Sequence, residues 1–396
     1  RCRNRFLPFC RSGFGQQRGT GRRHDRSEGR KVAGNSNHEL VANLLQNSAG
    51  ALAGYAAGDL LELRPAAGRA FRTDPFSTWR SWLKGRIEEL AAAIGVGRPE
   101  LFAAQIQWGR IVLEARGIEA EHFRAGIECL REVLAKELPA EARGLAEEYL
   151  RPALERFGGA AQEAVSRLSP ATAAGRVASR YLLAALEGDG RRARETVLKE
   201  GAAELSVPQI YLEVVLPVQE EIGRMWLANE ITVAEEHLAT STTRSVLAQL
   251  LAMAPMRERN GKTAMTAAVA GNRHDIGLQV VCDFFEMEGW KAIQLGADVP
   301  IGDLVEAVDC FGVDLLALSV AQTVHLQTLR ETIQAVRALP GRGAIKILAG
   351  GLALSSCPEA AEQLGADAYA AGPLEAVKTA ATLFRLPHNP EFFVRR

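Results

Sequence analysis

"TAMTAAVAGNRHDIGLQVVCDFFEMEGWKAIQLGA", residues 263–297, decides the fold. An apolar run ends at Gly271, a short polar turn carries His274, and Gly277 follows. Apolar positions then recur at helical spacing until Gly289, and a second apolar run begins at Lys291. Strand, turn, helix and strand in that order make a βαβ unit. The pattern continues with the strand-like runs "VDLLALSV" (313–320), "AIKILAGG" (344–351) and "ADAYAAGP" (366–373). Between and after them lie the helical stretches "IGDLVEAVDCFG", "VHLQTLRETIQAVRAL", "SCPEAAEQLG" and "LEAVKTAATLFR". Strict β/α alternation predicts an α/β domain over 261–385, a parallel sheet covered on both faces. Five strands predict the flavodoxin-like order 2-1-3-4-5, with a ligand at the carboxyl ends of strands 1 and 3. His274 follows strand 1 and Ser319 ends strand 3.

Upstream the texture is helical. Four helices are expected from Pro75 to about residue 160, the first being "FSTWRSWLKGRIEELAAAIG", with Trp79, Trp82 and Trp108 as core residues. A second block over 165–255 reads as an antiparallel four-helix bundle, opened by Ser169 as N-cap and Pro170 as first helical residue. Residues 1–74 read as a mostly disordered leader. Its first 35 residues hold many arginines against Asp25 and Glu28, and only a weak helical signal follows.

Formal net charge is +0, with 47% hydrophobic and 24% charged residues, the composition of a chain with real cores rather than a whole-chain nucleic-acid binder. The six cysteines form no C-x-x-C pair. Neither a disulfide framework nor a thiolate zinc site is suggested, and a reducing cytoplasm fits best. No apolar run is long enough for a membrane helix. The dinucleotide and P-loop glycine fingerprints are both missing.

What remains at the strand 1 turn is an imidazole with an amide two residues before it, a serine across the switch point, and glycines at strand ends. A neutral imidazole is the commonest metal ligand, and a neighbouring acceptor fixes its tautomer. One histidine from a loop cannot hold a free ion, but it can serve as axial ligand to a metal whose equatorial plane a macrocycle already fills.

"NRHDIG", then "SVA", then "GG" resembles the D/E-x-H-x-x-G … S-x-L/T … G-G signature of cobalamin-binding domains. The resemblance covers about residues 165–385 and includes a helical cap. It implies that His274 ligates cobalt in a base-off, His-on cobalamin. Ser319 and Val320 would then line the slot for the displaced tail, and Gly350 and Gly351 would admit it. Asn272 departs from the family's acid, and its carbonyl is expected to accept from the imidazole N–H. In the cap, "WLANEITVAEEH" resembles the W-x9-EH motif of adenosylcobalamin-dependent light-sensing regulators, which implies Trp226, Glu236 and His237 around the upper ligand. Leu227 stands where some of those sensors carry a histidine, and no winged helix-turn-helix precedes the cap. The implied cofactor contacts are thus Trp226, Glu236, His237, Asn272, Arg273, His274, Asp275, Ile276, Gly277, Ser319, Val320, Ala321, Gly350, Gly351 and Gly372, with His274 as metal ligand and no catalytic residue. The cofactor expected is adenosylcobalamin, with methylcobalamin as alternative. The function expected is a sensory regulator acting through self-association or a protein partner at residues 75–160. The alternative is the corrinoid carrier of a methyltransferase system.

Overall fold

The computed structural model describes residues 28–71, 74–157, 166, 168–341, 345–387 and 393. An N-terminal helical unit comprises α1 (Glu28–Leu63), α2 (Pro65–Arg69), α3 (Pro75–Val96), α4 (Pro99–Ala115), α5 (Ala120–Glu137) and α6 (Ala140–Arg156). Local chemistry sets the ends of α3. Asp74 accepts from the Ser77 N–H, Pro75 opens the helix, and Gly97 closes it at φ +76°. The expected leader through residue 74 is corrected here: α1 is one 36-residue helix whose Leu45, Leu52 and Leu60 are buried with Trp79, Leu83 and Phe123. Its inner face is built largely of alanine (Ala49, Ala53, Ala56, Ala57), and small side chains give little amphipathic contrast in the sequence. Residues 1–27 lie outside the described residues. Trp79 is core, Trp82 is half-buried against Phe123, and Trp108 is exposed, so the expectation of a core Trp108 does not hold.

The cap follows as α7 (Ala173–Leu186), α8 (Gly190–Glu195), α9 (Ala202–Glu204), α10 (Val207–Gln209), α11 (Leu216–Leu227) and α12 (Val233–Met253). π-helical turns at Thr196–Gly201 and Ile210–Val215 join α8 to α9 and α10 to α11, so the bundle still has four rods. The N-cap of α7 is Thr172, which accepts from Gly175 N–H, rather than Ser169. Pro170 sits in a turn, and helix begins where a hydroxyl can satisfy the first free amide. At α12, Thr232 and Glu235 form a reciprocal capping box.

The C-terminal domain alternates β1 (Thr263–Val269), α13 (Ile276–Met287), β2 (Lys291–Val299), α14 (Ile301–Cys310), β3 (Leu315–Ser319), α15 (Leu326–Arg337), β4 (Lys346–Gly350), α16 (Ala360–Gln363), β5 (Ala368–Ala370) and α17 (Pro373–Phe384). The sheet is parallel, in the order β2-β1-β3-β4-β5. Ala268, Ser319, Gly350 and Ala370 pair in one row across its carboxyl edge. Two cores flank it. The face carrying Met265, Leu316 and Ile347, with α14 and α15, is continuous with the core of the N-terminal unit. The opposite face, with α13 and α17, is continuous with the core of the cap. No helix of the described residues is long and apolar enough to cross a membrane.

The cap grips α13 through a buried polar contact. Tyr211 Oη donates to Asp283 Oδ2 at 2.9 Å, and Oη also reaches the Leu247 carbonyl at 3.2 Å. Burial pushes the Asp283 carboxyl up to about 7, against the pull of the Tyr211 hydrogen bond, and nearby Glu286 adds to the rise. The folded chain therefore keeps a proton that the unfolded chain releases near pH 4. The stability contributed is full below that pH and is lost as pH rises toward 7, a span of up to about 4 kcal/mol. Urea midpoints of the unmodified protein should fall between pH 5 and 7.5, and Asp283→Asn should make that slope shallower, the remainder belonging to Glu89, which burial also pushes up to about 7. Equal slopes in the two proteins would refute the assignment.

Candidate functional site

The turn after β1 is built by backbone geometry and one amide. Gly271 sits at φ +84°, and its N–H donates to Asp298 Oδ1 at 2.7 Å. Asp298, itself at φ +53°, returns its own N–H to the Asn272 carbonyl at 2.9 Å. Asn272 is fully buried; its Oδ1 accepts from the His274 backbone N–H at 3.2 Å and its Nδ2 donates to the Ser319 carbonyl at 3.1 Å. Asn272 therefore holds the backbone of the turn rather than the imidazole, which corrects the expected ring contact. The amide is also explained. A carboxylate there would face the Ser319 carbonyl oxygen with no proton to give. Held this way, the His274 side chain is exposed, and its ring has no hydrogen-bond partner among the described residues.

Asp275, the next residue, is buried, and the cap claims it: Arg244 of α12 bonds both carboxylate oxygens, at 2.5 and 3.1 Å. This bidentate pair ties cap to turn beside the imidazole. Arg273 and Gly277 are exposed, and Ile276 opens α13 against the cap's core. Along the same edge Ser319 and Ala321 are half-buried and Val320 is buried. Gly350 and Gly351 answer first to the protein itself. A Cβ at Gly350 would lie 2.6 Å from the Ala370 carbonyl oxygen, and one at Gly351 (φ +102°) 2.4 Å from that of Val320. Gly277 and Gly372, by contrast, have open space where a Cβ would stand.

His325 was not legible as a site residue. It sits in the 3-10 turn Thr323–His325 that follows β3, with Nε2 2.9 Å from where a Gly271 Cβ would be. Its Nδ1 is buried without a partner. Burial and the nearby His274 hold it below the usual imidazole range, opposed by Asp298. A second imidazole thus packs behind the turn. Its place on "SVAQTVH" was visible, but nothing in spacing announces contact with Gly271.

On the cap side, Trp226 lies at the end of α11, and Glu236 and His237 lie in the first turns of α12. No hydrogen bond, ion pair or ring contact joins the Trp to the other two among the described residues. Glu236 instead bonds His237 Nδ1 at 2.5 Å and accepts from Thr240 Oγ1 at 2.8 Å. Trp226 is half-buried under Arg116 of the N-terminal unit, whose guanidinium carbon lies 5.2 Å from the ring centroid. A surface cleft lined by Glu258, Trp290 and Pro387 lies at the amino edge of the sheet, away from these residues.

Among the described residues no three His, Cys, Asp or Glu side chains cluster as a metal site. The donor set is one exposed imidazole at the switch point, suited to a metal that brings its own equatorial ligands. Residues 262–380 match the B12 binding domain family, and residues 177–251 match a second B12 binding domain family. These two matches fit a cobalamin-binding family. The first match falls on the α/β unit, and the second match falls on the cap. A similar protein is dimethylamine corrinoid protein 3 of Methanosarcina acetivorans, 29% identical over 163 residues, covering 41% of this chain and 73% of that protein. Another is the HTH-type transcriptional repressor CarH of Myxococcus xanthus, 29% identical over 189 residues. That match covers 48% of this chain and 62% of the repressor, less than two-thirds of its length. Among solved structures, the monomethylamine corrinoid protein of Methanosarcina barkeri aligns with a TM-score of 0.46 and 23% identity, over 52% of this chain and 98% of that one. The N-terminal helical unit lies outside both family matches.

Proposed function

We propose that this cobalamin-binding protein is a sensory regulator that holds adenosylcobalamin base-off between cap and sheet. His274 would hold the cobalt, and the state of the cofactor's other ligand would pass to the N-terminal helical unit. The observation that carries the reading is the exposed, unpartnered His274 imidazole at the topological switch point. Bound there, adenosylcobalamin supplies a photolabile cobalt–carbon bond. The chain's own residues hold and position. Asn272 and Asp298 fix the backbone of the turn, Arg244 ties the cap to it through Asp275, and Ser319, Val320, Ala321, Gly350, Gly351 and Gly372 border the tail. Arg273, Ile276 and Gly277 flank the axial ligand, while Trp226, Glu236 and His237 face the upper side. None is assigned a catalytic role.

The names of several relatives favour a second reading, a corrinoid carrier that presents its cofactor to a methyltransferase. A carrier needs an open upper face and has no use for adenosyl selectivity. In the test, purified protein is titrated with adenosylcobalamin and with methylcobalamin. Tighter binding of the adenosyl form supports the regulator, and equal affinities support the carrier. His274→Ala is expected to remove the axial-nitrogen signature from the absorption spectrum and to weaken binding at least about tenfold. An unchanged spectrum overturns the ligand assignment. Size exclusion of the adenosylcobalamin-loaded protein before and after green light tests the response, and identical elution and proteolysis would leave a binding protein without a switch.

A further inference from the structure

Arg116 follows the last residue of α4, yet its side chain serves the cap. Nη1 donates to the Val112 carbonyl of its own helix at 2.9 Å and to the Leu227 carbonyl, at the end of α11, at 3.2 Å. The same guanidinium stands 5.2 Å over the Trp226 ring. Carbonyls from the C-terminal turns of two helices and an indole face thus converge on one cation, and each of them favours positive charge. The neighbouring acids Glu221 and Glu230 are taken by Arg224, so Arg116 is not placed here by a carboxylate.

A second contact of α4 matters as much. Gln105 Nε2 donates to Thr323 Oγ1 at 3.1 Å, in the turn that follows β3 and Ser319. One rigid helix of the N-terminal unit therefore touches the cap at Trp226 and the sheet domain beside Ser319. Any movement of cap against sheet must strain one of these contacts.

We propose that Arg116 is a positioning residue for Trp226, through which the N-terminal helical unit sets the selectivity of the cobalamin site for the adenosyl upper ligand. The inference rests on the reading that Trp226 faces the upper side of the cofactor. Trp226 is half-buried at the end of α11 and packs against the cap's core, and the guanidinium adds a hold on the ring from the N-terminal unit. By linkage, whatever Arg116 adds to adenosyl binding is returned as a tighter hold of the N-terminal unit on the cap.

The experiment compares affinities for adenosylcobalamin and methylcobalamin in the unmodified protein, Arg116→Ala, Arg116→Lys and His274→Ala. Arg116→Ala is expected to narrow the adenosyl preference about two- to fivefold, the worth of a partly exposed cation–π contact. Methylcobalamin affinity and the His274-dependent spectrum should stay as they were. Arg116→Lys should restore part of the preference, because it keeps the charge and loses the flat stack. A variant that merely folds poorly would weaken both forms alike, so the ratio is the informative quantity. An unchanged ratio in Arg116→Ala, with a clear preference in the unmodified protein, overturns this inference alone. Equal affinities in the unmodified protein overturn the underlying reading as well.

Discussion

Gly351→Ala is expected to lose about 3–5 kcal/mol of stability, the largest effect of any single methyl group at this site. Two costs add. The backbone stands at φ +102°, which an L side chain rarely adopts, and the new Cβ would lie 2.4, 2.8 and 2.9 Å from the carbonyl oxygen, carbonyl carbon and nitrogen of Val320. All three are backbone atoms of the chain leaving β3, whose N–H is bonded to the Gly350 carbonyl at 3.0 Å. Neither side can yield without breaking the edge on which Ser319 and Gly350 are paired. Gly372→Ala is the control: its φ of −171° suits any residue and no atom lies within 4 Å of the added carbon, so it should cost under about 1 kcal/mol. Denaturant midpoints of both variants decide the matter. Similar losses would mean that the collision at Val320 is relieved by movement of the loop.

The second large effect concerns the joint between the N-terminal unit and the sheet domain. Arg330 of α15 is buried, with Nη2 on the Gly95 carbonyl at 2.6 Å and Nη1 on Glu39 Oε1 at 2.9 Å. It thus ties the last turn of α3 and a residue of α1 to the helix that covers β3. Arg330→Ala leaves the Gly95 carbonyl without this donor and opens space in a shared core, at a cost of about 3 kcal/mol. The readout is cooperativity as well as stability. The unmodified protein should unfold its N-terminal unit and sheet domain together, and the variant should show the N-terminal unit melting first. A single coincident transition within about 0.5 kcal/mol of the parent would show that the apolar contact alone holds the joint. Arg330→Lys should fall between, since it keeps the charge without the forked donor geometry.

Both effects arise at residues whose partners lie far away in the chain, and that separates what could be read from what could not. The β/α alternation, the strand order and the turn bearing His274 were legible, because apolar periodicity, short strands and turn glycines act over a few residues. The cap's four rods were legible for the same reason, although their π-helical turns and the true cap at Thr172 were not. Helix α1 showed only as a weak helical signal because an alanine face buries well while carrying almost no periodic signal. Trp226, Glu236 and His237 were legible as a motif, but their spacing says nothing about contact. In the fold the indole meets Arg116, while the glutamate meets its own neighbours.

By itself, the sequence determined the α/β architecture and an imidazole at the switch point of a cobalamin-binding domain. Periodicity, turn chemistry and a short motif are properties of neighbours along a chain. Only the tertiary structure decided that Asn272 serves the backbone rather than the ring, that His325 backs Gly271, that Arg244 clamps Asp275, and that one helix of the N-terminal unit touches both cap and sheet. Apart from the local bond between Asn272 and the His274 N–H, those pairings join residues 31 to 218 positions apart, as from Arg244 to Asp275 and from Gln105 to Thr323. They form because packing two cores against opposite faces of one sheet brings the groups within reach. No local propensity encodes that reach.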